Sequence, residues 1–239
     1  MEKFSISIVI PVYNESARLY NLQTVSKFLK TQKFKSEVIV VNDGSRDDTL
    51  KKLKVLQKRL KFKLVNYSPN RGKGFAIKSG VKEAKGDYIL FMDVDLSTPL
   101  DQFKKFEPYL KEFDLVIGTR KDDSAHLIKR QPKLRESLGK VFTYLSQKSL
   151  NVNVSDFTCG FKCFSKRAAK EIFPIMTIER WGFDSEILFI AKKKGLSVKE
   201  VSVVWKNDPQ TKVKFPQDII NSLKELYLIR MNDLQGVYN

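Results

Sequence analysis

The chain has 239 residues, 42% of them hydrophobic, enough to bury one substantial core and unlike the composition of a disordered chain. Lysine and arginine number 44 against 27 acidic residues, a formal charge of +17, so the surface carries a positive field that draws polyanions: nucleic acid, anionic lipid or phosphorylated substrates. Two cysteines, Cys159 and Cys163, and one histidine, His126, are too few for a closed zinc site or a disulfide framework and point to a reducing, cytosolic setting.

Short β-branched runs alternate with helical patterns from the start. Ser5 to Val12 reads as a buried strand, Arg18 to Gln32 as a helix and Glu37 to Val41 as a second strand. Asp47 to Leu60 reads as a helix capped by Ser45, Lys63 to Tyr67 as a third strand, and Lys73 to Ala84 as a helix. Tyr88 to Met92 forms a fourth strand and, after an intervening helix, Leu115 to Gly118 a fifth. Repeated β-α-β units predict an open, mainly parallel sheet flanked by helices on both faces. Ligands on such sheets bind at the carboxyl ends of the strands. There the sequence places Tyr13, Asn14 and Glu15, then Asn42 and Asp43, then Asp93 and Asp95.

The second half is less regular. A basic segment from Arg120 to Lys140 leads into a helix ending near Leu150, followed by a strand near Gly160 to Phe164. Helices follow at Lys166 to Phe173 and Phe183 to Lys194, then a strand at Ser197 to Val204 and a final helix at Pro216 to Met231. The whole reads as one domain over 1–239, with a regular half to residue 120, at whose strand ends ligands bind, and a second half from 121 that ends in an amphipathic helix.

Phe91-Met92-Asp93-Val94-Asp95-Leu96 sets two carboxylates one residue apart after an apolar strand. Alternate residues of an extended segment share a face, so both reach one hard cation, Mg²⁺ or Mn²⁺, that can neutralise the phosphates of a leaving nucleoside diphosphate; a solvated acidic turn is the plainer alternative. Asn70-Arg71-Gly72-Lys73-Gly74 opens a helix, where glycines let backbone N–H groups approach an anion, although the spacing is not that of a Walker loop.

Ile10-Pro11-Val12-Tyr13-Asn14-Glu15, Val40-Val41-Asn42-Asp43-Gly44-Ser45 with Asp48-Thr49, Gly72-Lys73-Gly74, Gly86-Asp87 and Asp93-Val94-Asp95 resemble, in order, the motifs of the inverting family 2 glycosyltransferases of the GT-A, Rossmann-like fold. Asp156 to Lys162, Glu179 to Glu186, Val203-Val204-Trp205 and Lys212-Val213 extend the resemblance through nearly the whole chain, to the dolichyl-phosphate β-glucosyltransferase branch and its mannosyltransferase relatives. The resemblance implies that Pro11, Tyr13, Glu15 and Asp43 hold base and ribose and that Lys73 lies near the nucleotide. It implies further that Asp93 and Asp95 bind nucleotide and metal, that Arg120 and Arg135 take phosphate, and that Lys212 sits near the diphosphate. Asn42, Val94 and Gln210-Thr211 depart from the family pattern.

Transfer to a hydroxyl needs a carboxylate base, for which Asp184 and Glu186 are candidates unless they only favour a helix N-terminus. A lipid phosphate, whose second pKa is about 6, is already nucleophilic at neutral pH and needs cations instead. The Arg120 to Lys140 segment has seven basic residues against three acidic ones, with Lys129, Arg130 and Arg135 among them. The expected reaction is transfer of a hexose, glucose first, from a nucleotide sugar (UDP-glucose or GDP-mannose) to a polyprenyl phosphate; transfer to a saccharide or lipid hydroxyl is the alternative. Trp181 and Phe183 either line the sugar or lipid path or pack in the core, and the cysteines read as small core residues.

The Met-Glu-Lys start lacks a signal peptide, the N-terminal membrane helix of the eukaryotic relatives is missing, and no run reaches the roughly 18 apolar residues of a membrane span, so a peripheral enzyme on the cytoplasmic face of a membrane is expected. The last helix, with Ile219, Ile220, Leu223, Leu226, Tyr227 and Arg230, docks on the domain or lies on the bilayer, and Lys51 to Lys63 holds seven basic residues and no acid. Nucleic acid is not an expected partner: stacking aromatics and reader motifs are missing, and Asp93 and Asp95 have no role in a cationic groove.

Overall fold

The computed structural model describes residues 4–121, 127–129, 133–206 and 217–239, with backbone alone at 127–129, 133–136 and 219. Seven strands form one sheet in the order β3-β2-β1-β4-β7-β5-β8. They are β1 (Ser5–Val12), β2 (Lys35–Asp43), β3 (Lys63–Tyr67), β4 (Tyr88–Met92), β5 (Leu115–Thr119), β7 (Phe161–Ser165) and β8 (Val198–Ser202). Six run parallel; β7 is antiparallel to β4 on one side and β5 on the other. The expected open, mainly parallel sheet is therefore present, and β7 and β8 carry the second half of the chain into it. A small parallel pair, β6 (Leu127–Lys129) with β9 (Trp205–Lys206), stands apart.

Strands covered on both faces read as continuous apolar runs, as in Ile-Val-Ile of β1 and Ile-Leu-Phe-Met of β4. One face packs Ile8, Ile10, Val40 and Leu90 against α1 (Asn21–Lys30), α2 (Thr49–Leu60) and Phe103. The other packs Val9, Val41 and Phe91 against α3 (Lys73–Lys82), α5 (Lys166–Ile172) and α6 (Phe183–Lys193). Outside these, α4 (Lys133–Leu150) contacts α7 (Gln217–Leu234), and α7 also meets α6.

Three local expectations change. Residues 16–20 form turns rather than helix, and Arg18 there binds Glu15. Ser45 is not a helix cap: α2 begins at Thr49, and the Ser45 hydroxyl accepts the N–H of Asn14 at 2.9 Å, tying the loop after β1 to the loop after β2. The helix expected before β5 is two 3-10 segments, Leu100–Lys105 and Glu107–Tyr109, with Pro108 lacking the N–H that a continuous helix needs.

Candidate active site

The order β2-β1-β4 makes the three strand ends neighbours, so 13–15, 43–45 and 93–95 lie side by side along one sheet edge. Two bonds lock the first pair of loops further: the Glu15 N–H donates to Thr49 Oγ1 at 2.9 Å and the Arg46 N–H to Asn14 Oδ1 at 2.8 Å. The amide of Asn21 donates to the carbonyl of Val94 at 2.9 Å, which holds the segment between the two aspartates against α1. Pro11 sits in register with Val41, and Tyr13 is half-buried just beyond it.

Asp43 is buried, and burial pushes its carboxyl above the usual range against the pull of its donors. Those donors are the N–H groups of Arg71 (2.8 Å) and Gly72 (2.9 Å) and the amide of Asn70 (2.6 Å). The carboxylate thus shapes the turn that launches α3: Oδ2 takes the Asn70 and Gly72 donors, and Oδ1, with the Arg71 N–H, has the second lone pair that a nucleotide donor could use. Gly72 has φ +116°, and a Cβ there would meet the carbonyl oxygen of Glu179 at 2.6 Å, so both conformation and space require glycine.

That turn delivers Lys73 to Asp93, Nζ to Oδ1 at 2.6 Å. Burial works against the Lys73 ammonium, but Asp93 and Asp184 outweigh it and hold its pKa above that of an ordinary lysine. The indole of Trp181 lies 5.9 Å from the same ammonium, so Trp181 faces the charged cluster, whereas Phe183 is fully buried against Phe91. Asp95 is half-buried and accepts the N–H of Ser97 at 2.8 Å; burial and the Asp93 charge raise its carboxyl. Two carboxylates that repel each other at a strand end are a donor set for a hard cation. Among the described residues no third acid, histidine or cysteine completes a protein cage, so the remaining ligands of a Mg²⁺ or Mn²⁺ would be phosphate oxygens and water.

Arg120 follows β5. Its guanidinium forks onto Asp156, Nε to Oδ2 at 2.7 Å and Nη2 to Oδ1 at 2.8 Å, with Nη2 also reaching Thr158 Oγ1 at 2.9 Å. Burial alone would raise the Asp156 carboxyl, but the Arg120 charge and hydrogen bonds hold it well below the ordinary range. Arg120 is therefore fixed by a buried carboxylate, and the field of Asp184 reaches it as well.

Asp184 lies in the first turn of α6, buried, with its Oδ1 on the ammonium of Lys162. Burial raises its carboxyl while Lys162 and Lys73 pull the other way. Glu186 is not placed to act as a base: it is fully buried and accepts from Thr177 N–H, Thr177 Oγ1, Ile178 N–H and Tyr238 Oη. Cys159 and Cys163 are buried core thiols, and burial pushes Cys159 up to about 11.

Lys73, Asp93, Asp95, Arg120 and Asp184 thus form one electrostatic cluster, joined through Asp43 to the loops bearing Pro11, Tyr13 and Glu15. The Lys212, Arg130 and His126 positions lie outside the described residues, as do the side chains of Lys129 and Arg135, whose backbones fall in β6 and the first turn of α4. Two partners, Lys162 and Asp156, stand in a motif that carries the resemblance, but the sequence reading gave neither a role. A lysine inside Phe161-Lys162-Cys163-Phe164 was the available signal, since a charge in an apolar strand demands a buried counter-charge.

Residues 7–173 match the sequence model of the family "Glycosyl transferase family 2". The chain is 32% identical over 253 residues to a dolichyl-phosphate β-glucosyltransferase of Dictyostelium discoideum, covering 100% of this chain and 77% of that protein. It is also 32% identical to the Homo sapiens protein of the same name, covering 98% and 77%. Among solved structures, the glucosyl-3-phosphoglycerate synthase of Mycobacterium tuberculosis, in complex with Mn²⁺, uridine diphosphate and glucosyl-3-phosphoglycerate, superposes with a TM-score of 0.66 at 18% identity, over 96% of this chain and 79% of that one. With the family match spanning β1 to α5 and the relatives aligned through α7, the chain belongs to glycosyl transferase family 2 and is a glycosyltransferase.

Proposed function

We propose that the protein transfers glucose, with inversion, from UDP-glucose to a polyprenyl phosphate of the dolichyl type at the cytoplasmic face of a membrane. The observation that carries this reading is the state of Asp184. The carboxylate best placed in sequence to act as a base is buried against the ammonium of Lys162, an arrangement suited to an acceptor that arrives already ionised. The names of the full-length relatives support the same donor sugar and acceptor.

Pro11, Tyr13, Glu15 and Asp43 receive the base and ribose at the β1 and β2 ends. Lys73 lies beside the diphosphate, and its contact with Asp93 keeps the ammonium charged as negative charge develops on the leaving group. Asp93 and Asp95 would hold a Mg²⁺ or Mn²⁺, which supplies Lewis-acid neutralisation of the diphosphate when bound. Arg120, held by Asp156, and Arg135 at the start of α4 draw in the acceptor phosphate and offset the repulsion between two anions. Lys212, assigned by the family resemblance alone, is the further candidate for the diphosphate.

The test is transfer of radiolabelled sugar from a set of nucleotide sugars to polyprenyl phosphate, with and without Mn²⁺. Lipid-linked glucose from UDP-glucose is the expected product. Transfer to a saccharide or lipid alcohol, with the phosphate inert, would overturn the reading.

A further inference from the structure

The helix that the sequence left between the domain and the bilayer, α7, docks on the domain through Leu226 and Ile229, both buried. Next to them Glu225 reaches the loop before α6: its Oε2 accepts the N–H of Gly182 at 2.7 Å, across 43 residues of chain. The approach is so close that a Cβ on Gly182 would lie 2.7 Å from the Cβ of Glu225, so space rather than conformation demands glycine there, where φ is −71°. Gly182 is also the residue from which α6 starts, its carbonyl accepting the N–H groups of Ser185 at 3.0 Å and Glu186 at 3.1 Å. Gly182 has no side chain with which to cap that start, and its own N–H is satisfied from α7.

The loop held in this way carries Trp181 to the charged cluster. On its other side Glu179 is fixed to the start of α3: its carbonyl accepts the N–H of Phe75 at 3.0 Å, and its carboxylate binds the guanidinium of Arg71. Arg180 and Trp181 span the gap between that anchor and Glu225. The ring of Trp181 is half-buried and lies 5.9 Å from the Lys73 ammonium, while the exposed Arg180 puts its charge on both Asp43 and Glu225. A hexose attached to a diphosphate beside Lys73 would meet the flat apolar face and the single N–H donor of that indole.

We infer that Glu225 is a positioning residue for sugar transfer: through the N–H of Gly182 it sets where Trp181 stands beside the Lys73–Asp93 pair and where α6 begins, two residues before Asp184. The role requires the oxygen acceptor of Glu225 rather than its charge. The inference rests on the proposed reaction in one respect, that the donor hexose lies at the Lys73–Asp93 pair. A displaced ring leaves the nucleotide contacts at the ends of β1 and β2 in place, so the loss falls on turnover rather than on nucleotide binding.

The test combines kinetics with the fluorescence of Trp181, the latter read in a Trp205→Phe background because the chain has two tryptophans. Glu225→Ala is expected to lower kcat for transfer from UDP-glucose to polyprenyl phosphate by about tenfold or more, with the dissociation constant for UDP within about threefold of wild type. It is also expected to open Trp181 to quenching by acrylamide. Glu225→Gln, which keeps an oxygen for the Gly182 N–H, should hold both values near wild type. If Glu225→Ala does not fold, Gly182→Ala, which forces the loop off α7 from the other side, is expected to give the same pair of changes. Unchanged kcat or unchanged quenching in the alanine variant overturns the inference. So does a glutamine variant that falls as far as alanine, because the carboxylate charge would then be the cause. Quenching is read without donor, acceptor or metal. Wild type that makes no lipid-linked glucose therefore counts against the proposed reaction alone, while the dependence of the ring on Glu225 is still decided.

Discussion

The ammonium of Lys162 on β7 donates to Asp184 on α6, and both side chains are buried. Its other two N–H groups go to the carbonyls of Phe157 and Cys159, each at 2.8 Å, so one lysine satisfies all its donors while fixing a carboxylate and the loop beneath Asp93. Removing one member of such a pair leaves the other charge in the core without compensation. Lys162→Met should cost roughly 3–5 kcal/mol in urea unfolding, and Lys162→Met/Asp184→Asn should recover much of it. Equal stability of the single and double variants would show that the two groups are not coupled.

Asp184→Asn separates two chemistries. A general base supplies on the order of 10² to 10⁴ in rate, so an enzyme that relied on Asp184 in that role would lose nearly all turnover. For an ionised phosphate acceptor the expected fall in kcat, corrected for the folded fraction, is about tenfold or less. Rates measured at saturating donor and acceptor decide between them.

The Arg120–Asp156 pair makes stability depend on pH in a definite direction. An aspartate held below its unfolded value of about 3.9 stabilises the fold above that pH and loses the contribution as pH falls toward the folded value. Asp156→Asn should therefore lower the urea midpoint most at neutral pH, with the gap to wild type narrowing below about pH 4. A gap that is constant from pH 3 to 7 would falsify the coupling.

Gly160 lies against the carboxylate of Asp93, and a Cβ at that position would collide with Oδ2. Its φ is not in the left-handed region, so alanine is tolerated by the backbone and the damage falls on the site. Gly160→Ala should raise the KM for the nucleotide sugar by about tenfold, with the melting temperature nearly kept. The comparison of donor titrations in Mn²⁺ and in chelator, for wild type and variant, checks that the loss runs through Asp93.

If Arg135 takes the acceptor phosphate as proposed, Arg135→Ala removes a guanidinium able to bind it through two N–H groups. It should raise the acceptor KM or lower turnover by about tenfold or more while leaving donor binding intact. Unchanged activity at limiting and saturating acceptor would assign Arg135 to the solvated face of the helix.

Strand periodicity located the sheet with little error: β1, β3 and β4 run from Ser5 to Val12, Lys63 to Tyr67 and Tyr88 to Met92, as their apolar runs predict. Local pattern was weaker where side chains bind across the chain. Ser45 looks like a cap for α2, yet its hydroxyl serves the backbone of Asn14, more than thirty residues away. The segment from 100 to 113 has the apolar spacing of a helix, but Pro108 and the demand to bury Phe103 and Phe106 split it into short 3-10 turns.

By itself the sequence determined the alternation of strands and helices, the strand ends on which Tyr13, Asp43, Asp93 and Asp95 stand, and the excess of positive charge, because each is a property of neighbouring residues or of a sum. Tertiary structure alone decided which charges meet: Lys73 with Asp93, Lys162 with Asp184, Arg120 with Asp156. It also decided which face of α7 is covered by Leu226 and Ile229 and which is left open at Tyr227. The reason is physical. A buried ion pair or a covered helix face exists only once residues far apart in the chain exclude water together, and local periodicity carries no information about which ones do.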